Sequence, residues 1–145
     1  MASFRGGPVL TLDQKGRLTV PARFKDVLTA TSGTQLVITK SADGCLAMYP
    51  LPVWEHVEKI IRAWPQSMER WRRMYVGSAV DVEIDSASRV LVPPELRAWA
   101  GLEREVMFMG VGAYFELWDV ARYNDQESDL LKGERPPELG NLRVE

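Results

Sequence analysis

The sequence predicts an α+β fold made of two tandem, β-rich copies of one unit, packed about a pseudo-twofold axis and joined by a helical linker. Three observations carry that expectation. The pattern apolar-x-apolar-Asp-x-x-x-Arg-apolar-x-Val-Pro occurs twice, 72 residues apart, in Leu10–Pro21 and Val82–Pro93. Apolar residues alternate on either side of each Asp-x-x-x-Arg segment, the period of half-buried strands. Between the copies, apolar residues recur at i, i+3 and i+4, the period of an amphipathic helix.

Taken in order, Leu10 and Leu12, then Leu18 and Val20, mark two strands. Asp13-Gln14-Lys15-Gly16 between them carries turn chemistry, with an Asx-type acceptor first and a residue tolerant of positive φ last, so a hairpin is expected. Pro21 and Pro93 each end a strand and start a short helix, Ala22–Leu28 and Pro94–Ala100, the second stopped by Gly101. Phe24-Lys25 matches Leu96-Arg97 at the same offset. Two more strands follow in each copy, around Gln35–Thr39 and Cys45–Tyr49, then Glu105–Met109 and Tyr114–Trp118. With the offset slipped to 69, Leu46–Tyr49 falls on Phe115–Trp118.

Pro52 opens the linker, with Val53, Trp54, Val57, Ile60, Ile61 and Trp64 on one helical face. Pro65 interrupts it, and a second helix is expected over Ser67–Tyr75. Its Met68, Trp71, Met74 and Tyr75 read as core, and Arg70, Arg72 and Arg73 as a solvated face or a subunit contact. After Asp119 the chain turns polar. The expected organisation is a first unit over 1–50, a linker over 51–78, a second unit over 79–126 and a polar tail over 127–145.

The 145 residues are 46% hydrophobic and 26% charged, ordinary for a globular protein, and sufficient to bury a core without disulfides. Their net charge of −2 argues against a nucleic-acid partner until it is resolved along the chain: residues 1–80 carry +5 and residues 81–145 carry −7. Local fields can therefore be strong where the total is weak.

Several chemistries are excluded by composition. Cys45 is the single cysteine and His56 the single histidine, so neither an internal disulfide nor a Cys/His metal centre is expected. The N-terminus lacks the apolar segment of a signal peptide. The most apolar stretch, Val106–Phe115, is too short for a membrane helix. A soluble, cytoplasmic protein is predicted. Gly110-Val111-Gly112 lacks the rest of a dinucleotide fingerprint, and nothing around Cys45 or His56 resembles a nucleophile motif. No enzyme activity, cofactor or metal is expected, and Asp13 and Asp85, each four residues before an arginine, read as turn-fixing partners.

The first turn is basic. Lys15 and Arg17 flank Gly16, with Arg5, Arg23 and Lys25 close in sequence, whereas the second turn, Ser86-Ala87-Ser88, keeps only Arg89. An arginine fork suits phosphate and guanine O6/N7. One subunit neutralises few phosphates, so useful affinity calls for several subunits on repeated sites.

Asp13–Pro21 resembles the first signature of the MraZ family of bacterial transcriptional regulators. Cys45–Trp54, Gly77-Ser78-Ala79, Arg97–Leu102 and Phe115–Asp119 agree with it, and the likeness covers about residues 3–125. The resemblance implies two AbrB-like (SpoVT-AbrB) units of the swapped-hairpin type in a compact barrel-like domain, and a ring-shaped, octamer-like homo-oligomer. It also implies binding to double-stranded operator DNA with G-rich direct repeats upstream of the division and cell-wall gene cluster, repression of the chain's own operon, and nucleoid association. Carried onto this chain, the DNA-binding residues are Arg5, Lys15, Arg17, Arg23 and Arg89, and the structural ones Asp13, Gly16 and Asp85. Ser88 departs from the family's second motif, which commonly has Gly there. An AbrB-type antitoxin and a ring-forming interaction module that does not bind DNA are the alternatives.

Overall fold

The computed structural model describes residues 2–143. The first copy supplies β1 (Phe4–Gly6), β2 (Val9–Thr11), β3 (Arg17–Thr19), α1 (Ala22–Thr31), β4 (Gln35–Lys40) and β5 (Leu46–Pro50). The linker is α2 (Leu51–Arg62), a 3-10 turn at Gln66–Met68 and α3 (Glu69–Gly77). The second copy supplies β6 (Val80–Glu83), β7 (Arg89–Leu91), α4 (Pro94–Ala100), β8 (Glu105–Gly112), β9 (Phe115–Asp119) and α5 (Val120–Lys132), before a 3-10 segment at Pro137–Leu142.

The two copies interleave. β2 pairs with β8, and β6 pairs with β4, so each copy's first repeated strand joins the other copy's hairpin. β3 and β7 leave the large sheet and pair with each other as a separate two-stranded ribbon. This corrects the expected hairpin, because the strands flanking each Asp-x-x-x-Arg turn do not pair with one another. Three-residue strands form no independent ladder, and crossing to the other copy buries Leu18 and Val90, both 1% exposed. The larger sheet is antiparallel, in the order β1-β8-β9-β5-β4-β6 with β2 also on β8. It is open, so the expected barrel-like closure is replaced by an open sheet with a ribbon.

Equivalent residues face each other at two places, Leu18↔Val90 in the ribbon and Ala47↔Glu116 between β5 and β9. In an antiparallel pair only positions on a local twofold do this, so the pseudo-twofold axis passes through both. Crossing backbone bonds repeat about it: Leu12 N–H donates to Arg104 O (2.7 Å) and Ile84 N–H to Thr34 O (2.9 Å).

The core lies between the copies. Phe4, Phe24, Phe108 and Phe115 form an aromatic cluster with centroids from 4.4 to 6.0 Å apart. A second cluster of Val37, Ala47, Tyr49 and Trp54 forms where α2 packs on the sheet. The duplication runs one element further than the sequence suggested, since α5 follows β9 as α2 follows β5. Asp119 caps α5 by accepting from Arg122 N–H at 3.0 Å. Arg122 donates to Gly44 O (2.9 Å) and Gln126 to Asp43 O (3.0 Å), so polar bonds fasten this helix where apolar burial fastens α2. It continues to Lys132, into the segment read as a polar tail.

In the linker, two expectations change. Trp71, read as core, is 46% exposed, because α3 buries no side chain fully. Arg72 is not simply solvated. It pairs with Glu69 and donates to the carbonyls of Trp64 and Ile61, closing the C-terminal end of α2.

Candidate nucleic-acid interface

Side chains alternate across a strand, so Leu18 and Val90 on the buried face leave Arg17, Thr19, Arg89 and Leu91 together on the outer face of the ribbon. In the register, Arg17 lies opposite Leu91 and Arg89 opposite Thr19. The pseudo-twofold thus places the two motif arginines diagonally on one exposed surface, with the Asp-x-x-x-Arg turns at its opposite ends.

Each turn is built by its aspartate. Asp13 Oδ1 accepts the N–H groups of Lys15 and Arg17, both at 2.9 Å, and Oδ2 accepts Arg17 Nε at 2.7 Å. Asp85 Oδ1 accepts Ala87 N–H (2.9 Å) and Arg89 N–H (2.8 Å), and Oδ2 accepts Arg89 Nε at 3.0 Å. Backbone bonds match as well: Gly16 N–H to Asp13 O and Ser88 N–H to Asp85 O are both 3.0 Å. Gly16 has φ +83° and Ser88 φ +65°. The serine therefore keeps the left-handed turn that glycine adopts more easily, at a cost of about 1 kcal/mol.

The backbone N–H of Arg17, more than any other group, holds the Asp13 carboxyl down to about 2. That of Arg89 lowers Asp85 in the same way. Both aspartates are consequently ionised at neutral pH. Each engages the Nε side of its arginine, and among the described residues Nη1 and Nη2 of Arg17 and Arg89 make no hydrogen bond. The outward edge of each guanidinium is thus free to bind an acceptor pair, held by a side chain whose rotamer is already fixed.

The remaining sequence-predicted positions are distributed differently. Lys15 is exposed at the tip of the first turn. Arg5 is exposed on β1 opposite Val111, and Arg23 lies over the Phe24 ring at 4.3 Å, next to Gly6. Among the described residues, no hydrogen bond or ion pair joins either of them to the turns. Cys45 is fully buried, and desolvation pushes its thiol up to about 12, so at neutral pH it is a protonated core side chain. His56 is exposed on α2. Among the described residues, no cluster of His, Cys, Asp and Glu could hold a metal ion, and no helix is long and apolar enough to cross a membrane.

Two residues that were not singled out as site residues brace the turns from the opposite copy. Lys25 of α1 donates to Ser88 Oγ at 2.7 Å. Arg97 of α4 donates through Nε to Val92 O at 2.9 Å and lies against Gly16, where an added Cβ would come within 2.3 Å of its Cζ. The signal was present in the sequence, since these are the basic residues that recur four positions after each Pro.

Interleaved copies, each with an aspartate-anchored arginine on a shared ribbon, define a duplicated-unit α+β protein of the paired Asp-x-x-x-Arg type. The chain belongs to the MraZ family. A family profile described as "MraZ protein, putative antitoxin-like" matches residues 4–73 and 74–136. The chain is 49% identical over 133 residues to the transcriptional regulator MraZ of Variovorax paradoxus, covering 92% of this chain and 94% of that one. It is 49% identical over 139 residues to the protein of the same name from Methylibium petroleiphilum, covering 96% and 95%. With that of a Polaromonas strain the identity is 47% over 133 residues, covering 92% and 94%.

Proposed function

We propose that the chain is a transcriptional regulator that binds double-stranded DNA with the β3–β7 ribbon. The observation that carries this reading is the pair of arginines on the ribbon's outer face, each held at Nε by an ionised aspartate, with no hydrogen bond at either Nη among the described residues. A two-stranded ribbon fits the major groove, and a guanidinium edge presenting two parallel N–H groups matches guanine O6 and N7. The aspartates fix the arginines before binding, which reduces the ordering cost of association. Lys15 adds charge at the end of the ribbon, and Arg5 and Arg23 supply a second basic region on β1 and α1.

The finer reading rests on the family likeness. It assigns G-rich direct repeats upstream of the division and cell-wall gene cluster as the operator, repression of the chain's own operon as the effect, and the nucleoid as the location. It also assigns a ring-shaped homo-oligomer. Exposed Ile60 and Trp71, an apolar recess of about 520 Å³ that includes Phe4, Tyr49 and Tyr114, and the +5/−7 charge division support self-association. Avidity along the repeats then multiplies a modest contact per subunit by about 10² to 10⁴.

Mobility shifts on the chain's own upstream DNA test the reading. Wild-type protein should retard that duplex and Arg17→Ala should not; equal retardation by the two would remove the ribbon from the interface. Oligomers that form without any duplex affinity would select the interaction-module reading. The family profile's antitoxin-like description supports a second reading, in which the same DNA-binding units also neutralise a toxin, and copurification of a small toxin would favour it.

A further inference from the structure

The two turns have the same backbone but are braced by different chemistry. At the second, the brace is Lys25, and its ammonium is engaged by the Ser88 hydroxyl at 2.7 Å. At the first, the equivalent brace is Arg97, and Gly16 has no side chain to engage it. Arg97 is held by one bond, Nε to Val92 O, and its Nη groups have no hydrogen-bond partner or carboxylate partner among the described residues. Its guanidinium lies over Gly16, itself buried, where an added Cβ would come within 2.3 Å of Cζ. A half-buried guanidinium, anchored at Nε and without a partner at Nη among the described residues, lies over the glycine that separates Lys15 from Arg17.

We propose that Arg97, supplied by the second copy, is a phosphate-binding residue of the first turn, so that the basic end of the ribbon is built by both copies. The assignment rests on the DNA-binding reading above and adds a residue that the Asp-x-x-x-Arg motif does not contain. A phosphodiester oxygen provides the acceptor that the Nη groups lack, and guanidinium offers two donors where ammonium is a point charge. The same geometry gives Gly16 a purpose beyond its positive φ. Any side chain there would displace Arg97 from the turn. At the second turn one Lys25 donor goes to the Ser88 hydroxyl, so that end carries Lys25 and Arg89 but has Ala87 where the first turn has Lys15.

The test is the salt dependence of binding to the upstream duplex, by fluorescence anisotropy, for wild type, Arg97→Gln, Arg97→Lys and Arg17→Ala. Arg97→Gln should weaken binding on the order of tenfold. It should also lower the slope of log affinity against log salt by about 0.9 per engaged subunit. Arg97→Lys should keep the slope and recover part of the affinity. A wild-type slope and affinity for Arg97→Gln, alongside lost binding by Arg17→Ala, would overturn the Arg97 assignment and leave the ribbon intact. Absence of wild-type binding would overturn both. An independent arm needs no substitution: phenylglyoxal should modify Arg97 in the free protein and not in the duplex complex, and equal modification in both would overturn the proposal.

Discussion

The first and second turns are a natural experiment in one chain. They share their aspartate, arginine, hydrogen-bond pattern and left-handed residue, yet one is basic and closed by glycine while the other is neutral and closed by serine. Backbone conformation is therefore set by what recurs, chiefly the aspartate that satisfies two N–H groups and one guanidinium Nε. Charge is set by what does not recur: Lys15 has become Ala87, and Gly16 has become Ser88. A duplicated unit can in this way keep one scaffold and make its two ends different.

The largest expected effect breaks both ends at once. Leu18 lies on the pseudo-twofold axis opposite Val90 and is 1% exposed. Leu18→Ala should destabilise the protein by about 2–5 kcal/mol, measured by chemical denaturation, because the cavity opens under both turns. Next in size, Arg17→Ala should cost about 1–3 kcal/mol of binding per engaged subunit while leaving the unfolding midpoint nearly unchanged. Arg89→Ala should cost less, since its turn carries no lysine, and the two variants compared by anisotropy measure the asymmetry directly.

The closing residues sharpen the comparison further. Gly16→Ser should weaken duplex binding by about the same tenfold as Arg97→Gln, because the new Cβ displaces the Arg97 guanidinium. Ser88→Gly should change stability by no more than about 1 kcal/mol, relief of the positive φ offsetting loss of the Lys25 bond. Equal losses of duplex binding from the two substitutions would show that the turns are equivalent after all.

The smallest effect is in pH. The folded Asp13 carboxyl, at about 2, lies below the ordinary aspartate value near 3.9. A depressed pKa stabilises the fold above the unfolded value and loses that contribution as pH falls through the folded one. Amide chemical shifts of Lys15 and Arg17 should stay constant from about pH 8 to 5 and move between about pH 4 and 2. Movement near neutral pH would contradict the assigned hydrogen bonds.

Much of this was legible in the sequence. The Asp–Arg spacing placed both turns, Pro21 and Pro93 placed both helix starts, and the apolar pattern located every strand but β1, which was not expected, within a residue or two at most ends. Local pattern could not say which strand pairs with which, because Leu18 and Val90 satisfy a hairpin and a crossed ribbon equally well. The helix α5 was hidden for a related reason. It buries no apolar residue fully, and Arg122 and Gln126 hold it through the carbonyl oxygens of Gly44 and Asp43 in the other copy. Trp71 misled in the opposite sense, since a helical apolar spacing does not reveal whether anything covers it. Arg97 escaped notice because its partner is an absent side chain, a signal that appears only once Gly16 is seen beneath it.

The most direct measurement of the central claim is hydrogen exchange by mass spectrometry, with and without the upstream duplex. Protection should be largest over Lys15–Thr19 and Arg89–Leu91, the two strands of the ribbon and the first turn. Duplex-dependent protection confined to α5 or to the β6 edge of the large sheet, with the ribbon unchanged, would contradict it.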